Sequence, residues 1–68
     1  MKLKRFLKDV GDEDIVRIFL KGQPATGAFT LYSFKRSVEY KIFKTATVDY
    51  ADEIPVPHGK VLNIYVKD

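Results

Sequence analysis

Apolar side chains that recur at every second position are the feature of this sequence that restricts its fold most. Val16, Ile18 and Leu20 share one side of residues 14–21, and the intervening side chains point the other way. Turn-forming residues 22–24 follow directly. The alternation predicts a β-strand with one buried face, and the turn predicts a second strand beside it.

Further along the chain, other stretches carry β-strand signals. Residues 26–34 are rich in β-branched and aromatic side chains, and Gly27 within them predicts a sharp bend. In residues 37–44 and 60–67, apolar side chains again recur at every second position. Residues 45–50 are also β-prone, and their pattern fits either a separate strand or the bent end of the preceding one.

A helix is predicted at the start of the chain, over residues 2–10. Four apolar side chains there recur at helical spacing and form one stripe: Leu3, Phe6, Leu7 and Val10. Gly11 can adopt the left-handed conformation that ends a helix. A helix of about ten residues is unstable alone, so we expect its apolar stripe to pack against the strands.

The length of the chain limits how large a core it can form. Its 68 residues predict one domain, residues 1–68, of the α+β class. We expect a helix followed by about five short, strongly bent antiparallel strands that form a small β-barrel. There is no cysteine and only one histidine, so disulfides and thiolate or histidine-cluster metal sites are excluded. Homo-oligomerisation is therefore the predicted source of additional stability.

Charge and hydropathy restrict the location and the partners. The net charge is +3 and the isoelectric point is near 9.3, which is mildly basic. Basic residues cluster at the start of the chain and again between residues 35 and 44, whereas most acidic residues lie at positions 9–14 and 49–53. Such segregation suits an anionic partner or head-to-tail contacts, although solvated faces and turns explain it equally. No apolar run approaches the roughly 18 residues of a membrane span, so we predict a cytoplasmic protein without membrane contact.

Two segments resemble the sequence motifs of the Sm-like family, which includes the bacterial Hfq branch. Residues 18–22 resemble the strand and turn of the first Sm motif, and Gly27 resembles its bend glycine. Ser33 and Ser37 stand where that motif has an aspartate and an asparagine. The pair His58-Gly59, followed by an apolar strand, is similar to the second motif with its spacing one residue shorter. Any small barrel of the SH3 type shares much of this pattern.

The resemblance implies a ring-like homo-oligomer that binds single-stranded RNA. A nucleic-acid site is implied at five residues: Lys35, Arg36, Ser37, His58 and Lys60. Arg36 can stack on a base, Lys35 can meet a phosphate, and His58 can stack or donate a hydrogen bond. Ser37 lacks the bidentate amide of the family's asparagine. The alternative is that Lys35 and Arg36 form a polar hairpin tip and that His58 lies in a loop that contains two prolines.

We also predict a surface for self-assembly or for another protein. It comprises the side chains Phe43, Tyr50, Asn63 and Tyr65. The aromatic residues are numerous for such a short chain, and those on the second face of a strand need a partner to bury them. We expect the backbone of residues 45–50 to pair with residues 61–67 of a neighbouring copy.

No catalytic motif stands in the sequence, so we predict a non-enzymatic binding module with no cofactor and no metal. The acidic groups at residues 12–14 and 49–53 lie at element boundaries and match no calcium-loop spacing, which favours solvated turns. An Sm-like RNA-binding homo-oligomer is the first function predicted. The alternative is a phage-related protein that binds one host or phage protein, because the chain also resembles small accessory proteins of prophages and mobile elements.

Overall fold

A computed structural model describes residues 1–67 of the chain. It contains short helices and one five-stranded sheet. The elements in chain order are α1 (Leu3–Phe6), a 3₁₀ turn (Leu7–Asp9), β1 (Ile15–Leu20), β2 (Gln23–Pro24), β3 (Phe29–Thr30), α2 (Leu31–Phe34), α3 (Val38–Phe43), β4 (Val48–Val56) and β5 (Gly59–Val66). The predicted α+β class is therefore confirmed.

The sheet is mixed and open. Its strand order is β2-β1-β5-β4, and β3 pairs antiparallel with the start of β1. β1 and β5 run parallel over the full length of β1, from the pair Ile15 and Val61 to the pair Leu20 and Val66. β4 and β5 form an antiparallel hairpin with a bulge between Val48 and Tyr50. The predicted all-antiparallel arrangement is thus wrong, and the sheet does not close on itself.

One face of this sheet carries the core. The fully buried side chains of β1 and β5 meet those of the N-terminal turns and of α2 in a single cluster. Its members are Leu3, Leu7, Val16, Ile18, Leu31, Phe34, Ala46, Leu62, Ile64 and Val66. Side chains from all the helices, including Phe6, Tyr40 and Phe43, contribute to this cluster or pack against it. The helices therefore lie on one side of the sheet.

Two segments predicted as strands contain helices instead. Residues 26–34 form only the two-residue strand β3 before turning into α2, and residues 37–44 contain α3. Both helices begin at a hydroxyl side chain: the Thr30 oxygen accepts from the Ser33 N–H, and the Ser37 oxygen accepts from the Tyr40 N–H. Such N-caps satisfy backbone donors that a helix start leaves free. These caps and the buried Phe34 outweigh the strand preference of the β-branched and aromatic residues.

The loop with two prolines that was expected around His58 is shorter than predicted, because the residues before Pro57 belong to a strand. β4 continues through Pro55, which pairs with Lys60, and reaches Val56 before the hairpin turn. Proline is tolerated here because β4 is an edge strand, where one side of the backbone has no ladder partner. Residues 45–50 fitted either a separate strand or the end of the preceding one. They contain the start of the separate long strand β4, which begins at Val48.

The N-terminal helix is shorter than predicted. Only α1 is α-helical, the 3₁₀ turn follows it, and Val10 is already extended. Backbone bonds fix this segment, because the Leu3 N–H donates to the Ala46 oxygen and the Lys4 N–H donates to the Lys44 oxygen. Within residues 1–67, no helix is long and apolar enough to cross a bilayer.

The parallel β1–β5 pairing predicts where stability is concentrated. Replacing the fully buried Ile64 by alanine should lower the free energy of unfolding by about 2–5 kcal/mol, because it leaves a cavity in the core. The same substitution at Ile42, which is 63% exposed on α3, should change it by less than about 0.5 kcal/mol. Urea denaturation followed by circular dichroism measures both values. Equal effects would contradict the core position of β5.

Candidate binding surfaces

The side of the sheet away from the helices is uncovered, and we call it the open face. Three strands contribute alternate residues to it in register. These form an apolar row (Ile15, Val61, Ile54), a polar row (Arg17, Asn63, Asp52) and an aromatic row (Phe19, Tyr65, Tyr50). Tyr50 and Ile54 are exposed, and the β1 and β5 members are half-buried. A largely apolar surface of this kind is typical of an interaction site.

The aromatic row is a continuous stack. The ring centroids of Phe19 and Tyr65 lie 4.8 Å apart, and those of Tyr65 and Tyr50 lie 4.4 Å apart with the planes 11° from parallel. The Arg17 guanidinium lies 5.2 Å from the Phe19 centroid at the far end. These contacts fix the rings relative to one another, so the row presents a rigid aromatic surface.

The polar row contains opposite charges separated by an amide. Arg17 and Asp52 flank Asn63 on the two neighbouring strands, and neither charged group has an ion-pair partner within residues 1–67. The Asn63 Oδ1 atom is shielded from solvent and accepts no hydrogen bond in that part of the chain. An unpartnered buried oxygen is costly, and it marks a position where a further donor would stabilise the protein.

A shallow depression adjoins the end of the aromatic row. It measures about 350 Å³ and is bordered by Lys21, Gly22, Asp49, Tyr50, Tyr65, Val66 and Lys67. The Lys67 ammonium lies 3.9 Å from the Asp49 carboxylate, which offsets its charge. Partial desolvation raises the pKa of the Tyr50 phenol, and the neighbouring Tyr65, Asp52 and Asp49 raise it further. A phenol with its ordinary pKa of about 10 is already protonated at physiological pH, so Tyr50 can donate a hydrogen bond.

The opposite side of the molecule carries a basic surface formed by Lys2, Lys4, Arg5 and Lys8. These four residues line a depression of about 390 Å³. All four are exposed, and no carboxylate within residues 1–67 lies within ion-pair distance of them. The backbone beneath this surface is held by the hydrogen bond from the Lys4 N–H to the Lys44 carbonyl oxygen. Clustered, unpaired cations produce a positive potential that attracts anionic ligands.

The first three residues of the predicted RNA site lie where α2 meets α3. The Ser37 hydroxyl is already hydrogen-bonded within the chain: it donates to the Phe34 backbone carbonyl oxygen at 2.6 Å and caps α3. The Arg36 guanidinium lies 3.7 Å from the centroid of the Tyr32 ring and donates a hydrogen bond to the backbone carbonyl oxygen of Tyr32. Lys35 is exposed beside them. Arg36 thus already stacks on a tyrosine ring of its own chain, whereas it was predicted to stack on an RNA base.

The other two predicted RNA-site residues lie in the β4–β5 hairpin. His58 is exposed in its turn, and Lys60 is the second residue of β5. The Lys60 ammonium lies 3.3 Å from the Glu53 carboxylate, across the same hairpin. No hydrogen bond, ion pair or ring contact within residues 1–67 joins this hairpin to Lys35, Arg36 or Ser37. The structure therefore divides the predicted site between two regions.

Three of the four residues predicted as a partner surface do come together. Tyr50, Asn63 and Tyr65 all lie on the open face, in adjacent rows. Phe43 lies on the other side of the sheet, where it packs against the core at the end of α3. The predicted pairing through the edge of residues 61–67 is wrong, because β5 is a central strand with neighbours on both sides.

Asp14 has a role that the sequence did not indicate. One carboxylate oxygen accepts from the Gly11 N–H at 3.0 Å, and the other accepts from the Lys60 N–H at 3.3 Å. Gly59 has a φ of +142°, and a Cβ there would lie 2.8 Å from the Asp14 carboxylate. The carboxylate thus joins the start of β1 to the hairpin. Within residues 1–67, no group of three His, Cys, Asp or Glu side chains could hold a metal ion.

In comparisons with known proteins, no family model, no curated protein and no solved structure matches this chain. The Sm-like resemblance and the phage-related alternative therefore both stay predictions.

Substituting Asp14 tests whether this carboxylate holds the hairpin. Asp14→Ala should lower the free energy of unfolding by roughly 1–3 kcal/mol, because two backbone donors lose a charged acceptor. Glu13→Ala removes an exposed carboxylate from the same turn and should have an effect below about 0.5 kcal/mol. Chemical denaturation provides both values. Indistinguishable stabilities of the two variants would refute the role of Asp14.

Proposed function

We propose that this protein is a non-enzymatic binding module that contacts single-stranded RNA through the basic surface. The observation that carries this proposal is the depression lined by Lys2, Lys4, Arg5 and Lys8, whose charges have no carboxylate partner within residues 1–67. RNA phosphates provide the complementary charge at short, regular spacing. Release of their counterions supplies the binding free energy.

The basic surface offers cations and no base-reading groups. Lysine ammonium groups meet phosphates as point charges, and Arg5 can also contact a phosphate through two parallel N–H groups. None of these contacts distinguishes one base from another. We therefore expect binding with little sequence preference and a strong dependence on salt.

The choice of single-stranded RNA comes from the Sm-like resemblance. The five residues first implied as the site are divided between the α2–α3 junction and the β4–β5 hairpin, so the basic surface replaces them in this proposal. A ring-like homo-oligomer and closure of strands into an Sm-like barrel also remain proposals. A ring would have to use the outer edges of β2, β3 or β4, since both sides of β5 are occupied. Binding to cellular RNA is consistent with a cytoplasmic protein.

A protein-interaction module is the alternative function, as the phage-related resemblance implies. The open face favours it, because Tyr50, Ile54 and Val56 are 40–54% exposed on one strand. Apolar side chains held side by side on a rigid sheet gain little from contact with a polyanion, but they can pack against another protein.

Paired alanine variants separate the two candidate RNA surfaces. Binding of a fluorescent uridine-rich or adenine-rich oligomer is measured by anisotropy across a series of salt concentrations. Replacing both Lys4 and Arg5 by alanine should reduce the slope of log affinity against log salt by about 1.4, because two phosphate contacts are lost. Replacing both Lys35 and Arg36 by alanine removes the same charge and should leave the slope unchanged.

Both double variants are first compared with the unmodified protein by thermal denaturation, since Arg36 also bonds the Tyr32 oxygen. A slope that falls only in the Lys35/Arg36 variant would return the site to the position implied by the resemblance. No binding by the folded protein at about 50 mM salt would contradict RNA binding altogether.

A further inference from the structure

We infer that the open face binds a second copy of this chain, face to face, about a two-fold axis that runs along β5. This inference concerns the side of the molecule opposite the basic surface and does not depend on RNA binding. The partner of the open face, which is the surface of the alternative protein-binding function, is then a second copy of the chain.

The arrangement of the three rows makes the face self-complementary. The residues that each strand contributes to the face form a column that crosses the three rows. β5 forms the central column, and β1 and β4 form the outer columns. The polar row crosses the middle, with the apolar row at one end and the aromatic row at the other. Its charges, Arg17 and Asp52, are therefore placed symmetrically about the central Asn63.

A two-fold axis parallel to β5 exchanges the outer columns and keeps each row in place. Arg17 of one copy then faces Asp52 of the other, and this contact occurs twice. Tyr65 faces its own counterpart, and Phe19 faces Tyr50. The two sheets keep the same strand direction, which agrees with the aligned packing of sheets at about 30°. Opposite charges thus face each other in the polar row, and apolar or aromatic side chains face each other in the other two rows.

The other axis in the plane of the face gives a poor match. A two-fold axis perpendicular to the strands would keep the columns and exchange the rows at the two ends. Arg17 would then face Arg17, and Asp52 would face Asp52. Like charges placed together at an interface are strongly unfavourable. Charge alone therefore selects the axis along β5.

Asn63 lies at the centre of the face, on the proposed axis. Its Oδ1 atom is shielded and unpartnered within residues 1–67 of the single chain. On the proposed axis, the amide of one Asn63 meets the amide of the other. Rotation about the broad terminal torsion of each side chain brings its oxygen to the face and allows an N–H of one amide to donate to the oxygen of the second. The Asn63 pair is therefore compatible with the axis that the charges select.

The size of the face sets the expected strength of association. Three strands with three residues each form an interface near the lower limit for specific complexes. We therefore expect a concentration-dependent equilibrium between monomer and dimer rather than a permanent dimer. Sedimentation equilibrium of the unmodified protein from about 5 µM to 1 mM should show a monomer–dimer transition. A monomer throughout this range would overturn the inference.

Reversing the charges tests the partner and the axis together. Arg17→Asp places two carboxylates opposite each other at both charged contacts of the dimer, and Asp52→Arg places two guanidinium groups opposite each other there. Each single variant should raise the dimer dissociation constant at least tenfold. The double variant carries both changes, restores opposite charges across the axis, and should return the dissociation constant to within about threefold of the original value.

Matched charge changes elsewhere serve as controls. Lys35→Asp and Glu13→Arg alter the charge by the same amounts at exposed positions outside the open face, and they should leave dimerisation unchanged. Circular dichroism checks that each variant is folded. Loss of dimerisation in the folded double variant, or equal loss in the controls, would overturn the proposed geometry. If a single variant fails to fold, dilution of the unmodified protein still decides the inference.

Discussion

The parallel pairing of β1 with β5 is the constraint on which the rest of the structure depends. It joins residues near the start of the chain to residues at its end, over six consecutive pairs. Buried side chains from both strands, including Ile18 and Ile64, build the centre of the core against Phe34. β4 is attached to the sheet only through β5, and β2 and β3 only through β1. Without this pairing, the hairpin and the N-terminal half would share no sheet.

The same pairing explains why the molecule has two different sides. A chain of 68 residues has few segments left to cover a sheet, and here all the helices lie on one face. The basic surface lies on the helical side, whereas the stacked aromatic rings lie on the open face. Charge and apolar area are therefore segregated, so one small domain can offer one surface to a polyanion and another to a protein.

The strands in the parallel pair were predictable from the sequence, but their surroundings were not. Alternation identifies β1 and β5 because each buries one face, yet periodicity says nothing about which strands become neighbours. Residues 37–44 alternate as a strand would, although Ser37 as an N-cap and the basic residue of the last turn are helix signals that could have identified α3. The predicted RNA site draws its residues from the α2–α3 junction and from the β4–β5 hairpin, and periodicity alone could not say whether these two elements are neighbours. Tyr50 and Tyr65 were found because excess aromatic residues on a second strand face require a partner, whereas Asn63 came from the predicted pairing of residues 61–67 with a neighbouring copy, which is wrong.

We propose that the uncovered aromatic face of the sheet is covered by a second copy of the chain. Nuclear magnetic resonance with a soluble paramagnetic agent tests it directly, by comparing relaxation of the Tyr50 and Tyr65 ring protons at low and high protein concentration. These protons should be accessible in dilute solution and become protected as the concentration rises, while the methyl groups of Val38 and Ile42 on α3 should stay accessible. Ring protons whose accessibility does not change with concentration, or protection that appears on α3 instead, would contradict it.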